Sequence, residues 1–266
     1  MRPTLVLRQL LLIALPMLAP AALLAQQGRG GPPVATTPRA AAPIDLTGYW
    51  VSQIVDEWRF RVTPQKGDIP YLPLNADARR VANAWDPDKD LADGNECKAY
   101  GAVGVMQRPG RLHITWQDDR TLRIDADAGT QTRLLHFGPA PASPGEHSWQ
   151  GYSSAQWVVA GRPLLDTGGT GFFAGLGGGG NRGGTLVVTT NNLKPGYIRK
   201  NGVPYSESAV LTEYFNIVTG NEGQTYFAVT AFVEDPKYLN GPFIRTYTFK
   251  KQNDASGWDP MACLPK

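Results

Sequence analysis

The sequence predicts a mostly β protein, an antiparallel meander of about ten strands curled into a barrel or a strongly bent sheet, with one short helix. Apolar and polar residues alternate in short runs bounded by turn residues. In one such run Leu112, Ile114 and Trp116 interleave with Arg111, His113, Thr115 and Gln117. The gaps between runs are too short for the helical crossovers that parallel strands need, so hairpins follow. Helical spacing shows in a single stretch, where Asn75 can cap a helix over Ala76–Trp85 and Asp86-Pro87 can end it.

Arg2 and Arg8 precede an uncharged apolar stretch from Leu10 to Leu24, closed by Ala25 before Gln26-Gln27. This is the pattern of an export leader, so a signal peptide is expected over residues 1–25. Residues 26–43 are mostly Gly, Pro, Ala, Thr and Arg, which cannot bury a core, and are expected to be a flexible linker. Residues 44–266 are long enough for a single β domain. Its strand-like runs are Thr47–Val55, Trp58–Thr63, the Leu112 run, Thr121–Asp125, Thr130–Phe137, Ala155–Val159, Thr185–Thr190, Ser208–Val218, Gln224–Val233 and Phe243–Lys251. The helix presents Ala78, Val81, Ala82 and Trp85 on one apolar face, suited to covering one end or face of the sheet.

Turn chemistry sets an expected register. Across Asp118-Asp119-Arg120, pairing Gln117 with Thr121 keeps the apolar faces aligned and sets Ile114 opposite Ile124 and His113 opposite Asp125. Read as a three-residue loop, Asp127-Ala128-Gly129 pairs Ala126 with Thr130 and Leu122 with Leu134. His136 then turns inward with Trp116, Leu122 and Ile124, while His113 points out. Gly168–Gly184 contains ten glycines and no lysine, so it is expected to be a surface loop, with Phe172-Phe173 as a lid, and no phosphate cradle.

Composition excludes several classes. The net charge of +3 falls to +1 once Arg2 and Arg8 leave with the leader, too little for a nucleic-acid binder. No segment after the leader is long and apolar enough to span a membrane. Cys97 and Cys263 are the two cysteines, and in an exported chain they are expected to form one disulfide. Closing so long a loop stabilises by roughly 4–5 kcal/mol on the chain-entropy argument. The acidic run Asp86, Asp88, Asp90, Asp93 and Glu96 places Leu91 and Cys97 where a calcium loop needs glycine and glutamate. The histidines His113, His136 and His147 have no metal-ligand spacing, and Ser153, Ser154 and Ser206 lie in no nucleophile elbow. Neither metal nor cofactor is expected.

The candidate functional residues are therefore few. His113 with Asp125 has the geometry of an oriented general base as well as that of a cross-strand surface pair. His136 in an apolar lumen would have a shifted pKa. Phe243, Arg245, Tyr247 and Phe249 alternate onto one face of the last run. Trp116, His136, Arg245 and Tyr247 are the candidates for lining a ligand site, and His136, His113 and Asp125 those for catalysis.

Longer motifs point to a family. Cys97 with Tyr100-Gly101, then Arg108-Pro109-Gly110 and Leu112-His113-Ile114-Thr115-Trp116, resembles uncharacterised exported bacterial proteins. So do Ser148-Trp149-Gln150-Gly151-Tyr152-Ser153, Gly184-Thr185-Leu186-Val187-Val188, Glu234-Asp235-Pro236-Lys237-Tyr238, Pro242-Phe243 and the closing Trp258-Asp259-Pro260 with Cys263. The resemblance covers nearly everything after the linker and implies a lipocalin-like (calycin-type) barrel, periplasmic or secreted. It supplies no catalytic residues. The leading expectation is a cavity that binds a small apolar or aromatic molecule. The alternatives are a cofactor-free lyase, isomerase or hydrolase with a histidine base, and a structural or envelope-associated interaction protein.

Overall fold

The computed structural model describes residues 37–55, 57–62, 64–139, 145–159 and 183–265. In chain order, β1 (Gly48–Gln53) is followed by four short helices, α1 (Trp58–Val62), α2 (Ala76–Ala84), α3 (Pro87–Ala92) and α4 (Ala102–Val105), with a 3-10 turn, Glu96–Ala99, before the last. Then come β2 (Arg111–Trp116), β3 (Thr121–Ala126), β4 (Gln131–Phe137), β5 (Tyr152–Val159) and β6 (Gly184–Asn191). A small ribbon of β7 (Gly196–Arg199) and β8 (Val203–Tyr205) precedes β9 (Val210–Thr219), β10 (Thr225–Glu234) and β11 (Phe243–Gln252). Nine strands close a barrel in the order β1-β11-β10-β9-β6-β5-β4-β3-β2. Closure leaves no open sheet edge, which removes the usual route to strand-mediated aggregation.

The barrel and the mostly β composition agree with the expectation. One junction departs from a pure meander: β4 and β5 pair in parallel, over three residue pairs only. Within the run Trp58–Thr63, read as a strand, Trp58–Val62 forms helix α1, because so short an alternation cannot separate the two periods. The expected helix forms as α2, with Asn75 Oδ1 accepting from Ala78 N at 2.9 Å. Asp86-Pro87 then starts α3 as well as ending α2, since the Asp86 side chain accepts from Asp88 N and Lys89 N.

The β2–β3 register is the expected one, with His113 opposite Asp125 and Ile114 opposite Ile124. The β3–β4 register is not. Gly129 and Thr130 both have positive φ, +77° and +49°, so the turn takes four residues and pairs Ala126 with Gln131 and Leu122 with Leu135. A shift of one residue moves every side chain of a strand to the other face. His136 therefore lies on the outer wall, and Arg133, Leu135 and Phe137 point inward and are buried.

The middle of the barrel is packed with side chains. Trp50, Phe215, Phe227, Leu186, Val188, Ile114 and Leu135 are all fully buried. Phe227 stacks on Phe249 at 4.6 Å and meets Trp50 edge-on at 4.8 Å. One ion pair crosses this core: Arg133 donates to both oxygens of Glu213, at 3.1 and 2.7 Å, with both residues about 1% exposed.

Each end of the barrel has its own cover. At the end carrying Trp116, residues from the expected linker lie against the wall: Trp157 Nε1 donates to Pro38 O at 2.9 Å, and Arg39 N to Asp119 O at 3.2 Å. At the other end sit the helices and the β7–β8 ribbon. Cys97 and Cys263 are joined, with Cα atoms 5.1 Å apart. The bond pins the C-terminal segment beside the β3–β4 turn, where Met261 N also donates to Asp127 O at 3.0 Å.

Candidate functional site

The helix-covered end of the barrel gathers guanidinium groups around one tyrosine. Arg245 and Tyr247 come from β11, Arg61 from α1, Arg199 from the last position of β7, and Arg108 from the segment joining α4 to β2. The Arg61 guanidinium lies 5.2 Å from the Tyr247 ring centre. Arg199 lies 4.4 Å from the ring of Phe60 and 5.8 Å from that of Phe243, and Arg245 lies 4.8 Å from Phe243. Such contacts contribute about 0.5–2 kcal/mol each and fix the planes of the guanidinium groups.

Glu57, immediately before α1, joins two of these cations. Arg245 Nε donates to its Oε2 at 2.7 Å, and Arg199 Nη2 to its Oε1 at 3.4 Å. Its backbone has φ +48°, in the left-handed region, which costs a residue with a Cβ about 1–2 kcal/mol. Arg61 is held by main-chain carbonyls, donating from Nε to Gln107 O at 3.2 Å and from Nη1 to Gln53 O at 3.0 Å.

Arg108 is the unusual member. It is 4% exposed, and its Nε, Nη1 and Nη2 have no hydrogen-bond partner among the described residues. Burial lowers its pKa to about 10; Tyr100 and Tyr247 oppose the shift, while Arg61 and Arg199 add to it. Arg199 is lowered too, by burial first and against the pull of Glu57, and its Nη1 has no partner among the described residues. The Tyr247 hydroxyl is pushed above the ordinary phenol range by burial, which outweighs the nearby positive charges of Arg61, Arg108 and Arg245. It is therefore a neutral O–H at physiological pH. Arginine donates only, so the cluster offers N–H donors to acceptors; Arg199 and Arg245 give theirs to the Glu57 carboxylate.

The residues singled out from the sequence separate. Arg245 and Tyr247 share the inward face of β11, as expected, and meet in this cluster. Trp116 is inward-facing at the opposite end, in a ring cluster with Phe137 at 5.5 Å and beside a cavity of about 530 Å³ lined also by Arg39, Ile44, Asp45 and Thr47. His136, expected inward, stacks on Tyr152 on the outer wall at 5.0 Å. Burial still lowers its pKa, against the pull of Asp118. His113 faces Asp125 outside the barrel and stacks on Tyr49 at 4.1 Å. Asp125 is not free to orient it. Arg123 donates to it twice, at 2.7 and 2.8 Å, and Thr132 Oγ1 at 2.5 Å. Burial raises that carboxyl's pKa, but the bonds from Arg123 and Thr132 prevail and hold it below the usual range.

The remaining motifs have structural partners. Ser206 Oγ donates to Asp235 Oδ1 at 2.8 Å, and Ser153 bonds Thr190 at 2.7 Å. Asp90 of the acidic run is buried and accepts from Trp85 Nε1, Lys98 Nζ and Tyr197 Oη. The Phe172-Phe173 lid reading, and the glycine tract up to residue 182, lie outside the described residues.

Sequence reasoning missed Arg61, Arg108 and Arg199. Arg61 was hidden by the strand reading of its segment, and Arg199 belongs to a ribbon with no sustained alternation. Arg108 was already in view within Arg108-Pro109-Gly110, but nothing local signals that its side chain is buried. Comparison of the chain with protein-family models, curated proteins and solved structures gave no match.

Proposed function

We propose that this chain is an exported, lipocalin-like binding protein, and that it holds a small, partly aromatic or apolar molecule at the helix-covered end of its barrel. The observation that carries the reading is the gathering of the buried side chains of Tyr247, Arg61, Arg108 and Arg199, with the quarter-exposed Arg245, at one end of the barrel. Large side chains pack the middle of the barrel among the described residues, so the reading takes the ligand to be held at the mouth and not in the expected lumen. Phe60 and Phe243 supply apolar surface there, and neutral Tyr247 supplies a directional hydroxyl. Neither His113 nor His136 faces this place, so a histidine base gains no support from it. The export part rests on the charged, then apolar, then small-residue order of Met1 to Ala25 and on the Cys97–Cys263 bond.

Native mass spectrometry of protein isolated from its own source tests the reading. A small molecule in one-to-one ratio, lost in Arg245→Ala, supports it. A protein that is reproducibly empty, and unmoved by a library of small aromatic compounds in a thermal-shift assay, overturns it. A mature amino terminus at or near Gln26 tests export separately.

A further inference from the structure

We propose that Arg108 is an oxyanion receptor, that the ligand carries a carboxylate or phosphate, and that this head takes the place of Glu57 on Arg199 and Arg245. The inference rests on the binding reading above and names the chemical class of the ligand.

Three observations converge on it. The first is Arg108 itself, a buried guanidinium with all three nitrogens unpartnered among the described residues. Buried charges in folded proteins are paired, because an isolated one costs several kcal/mol. The planar fork offers two parallel N–H groups, which is the shape of a carboxylate or phosphate edge. The second is Arg199, 1% exposed, with Nη1 also unpartnered, so that two neighbouring cations both have donors to give. The third is Glu57, which shows how a carboxylate seats here: one oxygen on Arg199, the other on Arg245.

Glu57 is also suited to leave. It is about 25% exposed where Arg199 is 1%, its φ is +48°, and it is followed by Trp58, which is 64% exposed. Residues held in sparsely populated backbone regions cluster at ligand clamps. The exchange is a substitution of one oxyanion for another: the ligand head accepts from Arg108, Arg199 and Arg245, and the Glu57 carboxylate moves into water. No covalent bond changes.

The test uses the full oxidised chain and three probes: inorganic phosphate, benzoate, and benzamide as the neutral counterpart of benzoate. Isothermal titration is run on the wild type, Arg108→Gln and Glu57→Gln. The expected result is that benzoate or phosphate binds the wild type at least ten-fold more tightly than benzamide does. Arg108→Gln is expected to lose at least 100-fold of that affinity, and Glu57→Gln to gain at least ten-fold by removing the internal competitor. Comparing phosphate with benzoate assigns the head group. Should Arg108→Gln fail to fold, Glu57→Gln decides: unchanged anion affinity overturns the proposal. If benzamide matches benzoate, the oxyanion inference fails while the binding site stands. If no probe binds the wild type or Glu57→Gln at millimolar concentration, the oxyanion inference is overturned, and the binding reading is decided by the mass-spectrometric and thermal-shift tests above.

Discussion

Replacing Arg108 by methionine should stabilise the unliganded protein, although Arg108 is among its most buried residues. Burial lowers the pKa of the guanidinium to about 10, and its nitrogens have no hydrogen-bond partner among the described residues. Holding a buried, unpaired charge costs on the order of 3 kcal/mol at neutral pH. Methionine keeps most of the stem's volume and removes the charge. The loss of packing from reshaping the site should stay below about 1.5 kcal/mol. The net expectation is a gain of about 1–3 kcal/mol, which for a domain of this size raises Tm by roughly 2–10 °C. Urea unfolding at pH 7 measures it, in a zwitterionic or amine buffer with chloride as the sole anion. The same pair of proteins in 50 mM phosphate or benzoate should converge or reverse, because only the wild type gains from binding. A loss of more than 1 kcal/mol for Arg108→Met in the anion-free buffer would refute the reasoning, since it would mean that Arg108 already has adequate partners within the protein.

Further outcomes follow from the same geometry. Arg133→Met alone should cost about 3–5 kcal/mol by stranding Glu213 in the core, while Arg133→Met with Glu213→Leu should come within about 1 kcal/mol of the wild type; urea denaturation of the full cycle decides. Tyr205 is 1% exposed, its hydroxyl has no partner among the described residues, and burial holds its pKa above the phenol range. Tyr205→Phe should therefore be neutral or stabilising by about 1–2 kcal/mol at pH 7. The sign at alkaline pH follows from linkage. Tyr205 and Tyr247 keep their protons in the folded state after the unfolded chain has begun to lose them, near pH ~10, so their contribution is complete below that pH and is lost as pH rises beyond it. Stability measured from pH 8 to pH 11 should fall at the upper end, and less steeply in Tyr205→Phe. Reducing Cys97–Cys263 should lower stability by about 2–5 kcal/mol, read as a shift of the urea midpoint with and without reductant.

Much of the barrel was legible because alternation survives wherever one face is buried. The β2–β3 register came from a short turn between two strongly patterned runs, and alternation put Phe243, Arg245, Tyr247 and Phe249 on one face of β11, which the fold turns inward. The β4 face was misread for a specific reason: whether Thr130 takes positive φ cannot be decided from its identity, and that one residue sends His136 outside. The site was half legible. Arg245 and Tyr247 stand on a patterned strand, whereas Arg61, Arg108 and Arg199 arrive from a helix of five residues, a connecting segment and a four-residue strand. Those pieces have no period of their own, and their places are set by tertiary packing and by the Cys97–Cys263 tether. Burial of a charged side chain is likewise a property of the assembled fold. No local pattern announces it.

Binding at the helix-covered mouth and binding along the barrel axis would protect different backbone amides. Hydrogen exchange measured with and without saturating benzoate or phosphate separates the two. Exchange should slow in residues 57–62, 105–110, 197–200 and 243–247, with the end carrying Trp116 unchanged. Slowing confined to residues 37–47, 114–122 and 155–158, or no change anywhere under demonstrated binding, would contradict binding at the mouth.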